Sequence, residues 1–158
     1  MSAEEHLNVF KEMIDREKAY AKALTELSRK IEHPVLQSIF VGIANDSLKH
    51  SQLYEALVKL LTSPQPVLSQ EELELISREV DKHIETEALM VKLVGELLKE
   101  VEDPRLRLVL SAIYSDEVEH HKVLVSVRDN LAKREAITEE DVWDTIWRDS
   151  PWHGTPGG

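Results

Sequence analysis

Residues 115–120 read SDEVEH, and residues 45–50 read NDSLKH. The two sextets lie 70 positions apart, with Asp46 and Asp116 at the second place and His50 and His120 at the sixth. Glu117 stands in one where Ser47 stands in the other. Outward from them, 14–57 aligns with 84–127 at the same offset and without a gap. Identical pairs include Ile14/Ile84, Glu17/Glu87, Lys22/Lys92, Glu26/Glu96, Leu27/Leu97, Pro34/Pro104, Leu36/Leu106 and Ile43/Ile113. A fixed-offset match of this length is the mark of a duplicated structural unit.

Apolar residues recur at spacings of three and four on both sides of each sextet, which predicts amphipathic helices. Ser2 with Glu5 reads as a capping box opening a first helix over about 3–32. Pro34 opens a second helix ending near Leu61, and TSPQPVLS at 62–69 reads as a loop. Ser69 with Glu72 opens a third helix to about 102. Asp103 and Pro104 then serve as N-cap and first turn of a fourth, to about 134. The expected architecture is all-α: a four-helix bundle over 1–136, built from hairpins at about 3–61 and 70–134. A short fifth helix after Thr138, carrying Trp143 and Trp147, and a loose tail are expected over 137–158.

The formal net charge of −11 argues against a nucleic-acid binder, which needs a basic face, and against attraction to anionic membrane. The absence of cysteine excludes disulfides, thiolate metal sites and a rubredoxin-type centre in this chain. The N-terminus lacks a signal-peptide apolar core, and no apolar run approaches a membrane span. A soluble cytoplasmic protein is expected.

The chemistry lies in polar residues set into apolar stripes. On the first helix the stripe runs Phe10, Met13, Glu17, Ala21, Leu24; on the second, Ile43, Ser47, His50, Tyr54, Leu57. The third gives Val80, His83, Glu87, Met90, Val94, and the fourth Ile113, Glu117, His120, Leu124. No Arg or Lys lies on any stripe. Three carboxylates gathered at one level repel one another and are costly to bury unpaired, so a bound cation is the simplest compensation. A metal-free bundle with a satisfied polar network is the bland alternative.

This pattern resembles the ferritin-like superfamily, in particular its rubrerythrin-like, di-metal carboxylate members. These place a Glu on each of two helices and a Glu-x-x-His on each of the other two. Glu17 and Glu87 match the lone glutamates, Glu117 to His120 matches one Glu-x-x-His in full, and Ser47 to His50 matches the other at His alone. The separations 17 to 47 and 87 to 117 are both 30 residues. The resemblance implies metal ligands Glu17, His50, Glu87, Glu117 and His120, with Glu117 bridging. It makes Asp46 and Asp116 hydrogen-bond partners of the opposite hairpin's histidine. Ser47 then borders an open bridging position, and His83 is an extra ligand or an ordinary core histidine. Two iron ions are implied, with Mn or Zn as other occupants. The activity implied is peroxidase- or ferroxidase-type redox chemistry fed by an external electron donor. A degenerate bundle acting as a scaffold is the alternative.

Ferritin-like topology also implies that the second and third helices run parallel. The connection between them would then span on the order of 40 Å, whereas eight extended residues reach about 30 Å. A later start of the third helix, an up-down-up-down bundle, or hairpins swapped between two copies would each relieve this. A homodimer, with or without swapping, is expected.

Overall fold

The computed structural model describes residues 2–64 and 68–131. The fold is all-α, with four helices and no strand among the described residues. They are α1 (Ala3–Ser28), α2 (Pro34–Thr62), α3 (Gln70–Glu100) and α4 (Pro104–Leu131). Among the described residues, no helix is long and apolar enough to cross a membrane. The chain forms two compact units, one around the α1–α2 hairpin and one around the α3–α4 hairpin. The fifth helix expected after Thr138, with Trp143 and Trp147, lies outside the described residues.

The helix starts follow the expected chemistry. Ser2 accepts from the Glu5 amide while the Glu5 carboxylate accepts from the Ser2 amide, and Ser69 and Glu72 repeat this reciprocal cap. The Asp103 carboxylate accepts from the Arg105 amide at 2.8 Å, ahead of Pro104 in the first turn of α4. The Arg105 side chain also donates to Asp103, and these bonds together hold the Asp103 carboxyl down at about 2. Because α3 begins at Gln70, the later start of the third helix does not occur.

The first helix stops at Ser28, four residues before the expected end. Thr25 and Ser28 turn their hydroxyls back onto the carbonyls of Ala21 and Thr25, at 2.8 and 2.7 Å. The next amides bond three residues back, Lys30 to Leu27 and Ile31 to Ser28, which tightens and ends the helix. In both hairpins the residue three places into the next helix closes the end of the one before. The Gln37 amide donates to the Ser28 carbonyl at 3.3 Å. Its repeat counterpart Arg107 donates to the carbonyls of Leu98 and Val101, at 2.6 and 2.9 Å. Orphan carbonyls at a helix C-terminus need such donors.

The hairpins bury their inner faces differently. The first closes on small residues: Ala21 and Ser28 of α1 meet a face of α2 carrying Ala44, Ser47 and Ser51, with Leu24 and Phe40 filling the seam. Small side chains let two helix backbones approach closely. Seventy residues on, the same places hold Val91, Leu98, Tyr114, Glu117 and His121. There the Tyr114 ring lies over Gly95, where a β-carbon would come within 3.3 Å of it. The second hairpin is therefore spread wider by the side chains between its helices.

A second apolar face of each hairpin is left exposed. Leu36 and Ile43 on α2 and Leu106 and Ile113 on α4, all expected to face a bundle interior, are exposed. Each pair lies at heptad spacing with the motif histidine, His50 or His120, so each histidine stands in an exposed apolar stripe.

Candidate metal centre

In both hairpins the lone glutamate of the first helix meets the histidine of the second. Glu17 Oε1 lies 3.4 Å from His50 Nδ1, and Glu87 Oε1 lies 3.8 Å from His120 Nδ1. The same atoms face each other in the two repeats. The two repeats keep the same separation between glutamate and histidine, 33 residues from 17 to 50 and from 87 to 120.

The second hairpin adds a third group. One donor atom each from Glu87, Glu117 and His120 lies within 4.8 Å of the other two. Donors bound to one ion at about 2.0–2.2 Å lie roughly 3–3.5 Å apart, so small side-chain movements would bring this triad onto a cation. Glu87 Oε2 and Glu117 Oε2 are sealed from solvent and have no hydrogen-bond partner among the described residues. With both carboxylates ionised, neither oxygen finds a donor, and the charges repel. Glu117 responds with a pKa above the ordinary carboxylate value. A proton shared in a hydrogen bond with Glu87 is the largest cause, then burial, then repulsion from Glu87, with His120 opposing. A cation among the three would meet both unsatisfied oxygens, and the donor set of two carboxylates and one imidazole suits iron, manganese or zinc.

Among the described residues, the first hairpin has no equivalent triad. Ser47, where Glu117 has its counterpart, is 4% exposed and packed in the small-residue seam beside Ala44 and Ser51. The resemblance sets Ser47 at the border of an open bridging position. The seam shows it as a packing residue, and the spacing of Ala44, Ser47 and Ser51 on one helix face was the signal available.

Asp46 is partly exposed and accepts from its own helix neighbour Lys49 at 2.8 Å, while Asp116 is exposed. His83, one turn before Glu87, is exposed. Glu119 pairs with Lys122 on the surface at 2.8 Å. His120 is half-exposed, its side chain 53% accessible against 16% for Glu87, so the triad is sealed on the Glu side and open on the His side. No family model, curated protein or solved structure matches the chain.

Proposed function

We propose that this is a ferritin-like metal-binding protein whose centre is held by Glu87, Glu117 and His120. The observation that carries the reading is the pair of sealed carboxylate oxygens without a donor, set beside an imidazole within ligand range. A buried unsatisfied carboxylate costs more than an ordinary unpaired polar group, and a cation removes that cost for both at once. Glu87, Glu117 and His120 would hold the ion.

With iron bound, the centre would supply two electrons, one from each ferrous ion, which together with two protons reduce hydrogen peroxide to two waters. The chain's own part would be to hold the ion and control access to it. Without metal Glu117 takes up a proton above the ordinary carboxylate range, and ligation of a cation would release it, while the half-exposed His120 marks the side of the site open to solvent. Without cysteine, the chain carries no thiol to return electrons, so an external donor would do so. The exposed apolar stripes would also suit a metal-free scaffold, and one measurement separates the two. The full chain, loaded anaerobically with ferrous iron and desalted, should retain stoichiometric iron, and Glu117→Gln should not. A wild-type chain retaining no Fe, Mn or Zn would leave only the scaffold.

A further inference from the structure

We propose that a cleft between α3 and α4, separate from the Glu87–Glu117–His120 cluster, binds a small aromatic monocarboxylate. The cleft holds about 340 Å³, and α3 lines it with Val91, Gly95 and Leu98 and with Lys92, Glu96 and Lys99, while Tyr114 of α4 forms the facing wall. Val91, Gly95 and Leu98 follow one another at spacings of four and three, so they share a helix face, and all three are partly buried. Lys92, Glu96 and Lys99 repeat that spacing one position on and are exposed, which makes them a charged rim beside an apolar floor. A space of this size with an apolar floor and a few charged groups suits a compact molecule of one or two rings.

The cleft belongs to the second hairpin alone. The places of Val91, Gly95, Leu98 and Tyr114 are held in the first by Ala21, Thr25, Ser28 and Ala44, and there the seam is closed. In the second, the Tyr114 ring keeps the helices apart, and Gly95 has no side chain to fill the gap. The bare backbone at Gly95 lets a flat ring approach α3, with the Tyr114 ring beside it to pack on. Charge sets the rest of the ligand. Lys92 and Lys99 form no ion pair among the described residues, so the rim carries two free cations against the single Glu96. Glu96 between them and the net charge of −11 disfavour a polyanion, which leaves a ligand with one carboxylate. That carboxylate belongs at the Lys99 end. There the Arg107 guanidinium sits on the Leu98 carbonyl at 2.6 Å and adds positive charge. At the other end Val91 lies one turn after Glu87, and Tyr114 one turn before Glu117, so an anion would meet two carboxylates.

Titration of the isotope-labelled full chain with naphthoate, followed by amide chemical shifts in chelator, tests this independently of bound metal. A molecule of this size should bind on the order of 1 mM, with the largest shifts at Gly95 and Leu98. Lys99→Gln, at an exposed position, should weaken binding about fivefold, the weight of one partly screened ion pair. Gly95→Leu should fill the cleft and abolish binding while circular dichroism stays helical. Arg29→Gln, the repeat counterpart of Lys99 beside the closed seam, should bind as wild type does. A wild-type chain without saturable shifts around Gly95 would overturn the proposal, as would equally tight binding of the neutral naphthylmethanol. Undiminished binding in Lys99→Gln or Gly95→Leu, or a loss in Arg29→Gln, would do the same. Iron retention by the wild type is untouched by each of these outcomes.

Discussion

Replacing Glu117 by Gln should stabilise the metal-free protein while destroying its metal site. In the wild type, Glu87 and Glu117 each hold a sealed oxygen without a donor, and the two charges face each other. Gln keeps the shape, removes one charge and offers an amide N–H₂ to the remaining Glu87 carboxylate. A hydrogen bond to a charged group is worth about 1.5–3 kcal/mol, and the open His120 side reduces this to roughly 1 kcal/mol. For a unit of this size that is a rise in Tm of about 4 °C. The pH dependence separates this cause from general packing. The Glu117 pKa is raised in the folded state, so the native protein binds more protons than the unfolded chain above the ordinary carboxylate value. Wild-type stability therefore falls as pH rises from about 4.5 through the raised value, and Gln removes that loss. Thermal melts in chelator should show the variant ahead at pH 7 and the gap closing as pH falls well below about 4.5, where Glu117 is protonated in both states. A variant less stable than wild type at pH 7, or a gap independent of pH, would refute the account of the two carboxylates.

Restoring the apparently missing ligand should fail. Ser47→Glu forces a long charged side chain into the seam beside Ala44 and Ser51 and should cost about 2–3 kcal/mol by urea denaturation, with no gain in bound metal. In the second hairpin, Gly95→Ala should stabilise by about 0.5 kcal/mol. The added methyl would meet the Tyr114 ring at 3.3 Å, and Tyr114 is 37% exposed and free to tilt outward, so the helix-propensity gain prevails. A loss of stability in that variant would mean that the ring is held in place.

The duplication made most of the fold readable. Proline and capping residues recur at matching places, so helix starts could be located from chemistry that acts within four residues, and all four held closely in the structure. The early end of α1 was harder, because Thr25 and Ser28 are compatible with a helix until their hydroxyls bond back to the chain. The site was legible as residue types, and Glu87, Glu117 and His120 do converge. Their inequality with the first hairpin was not, because a motif comparison sees Ser47 only against Glu117. Packing sets it against Ala44, Ser51, Ala21 and Ser28, a seam whose members belong to two helices and become neighbours only on folding. Periodicity likewise marks Leu36, Ile43, Leu106 and Ile113 as apolar-face residues without naming what covers them. A helical hairpin has only one partner surface inside itself. An apolar stripe wider than that surface leaves part of itself uncovered, and His50 and His120 lie in line with it. The two copies of the repeat have thus diverged in a coordinated way. One carries Ser47 in a close helix–helix seam, and the other carries Glu117 beside Glu87 and His120.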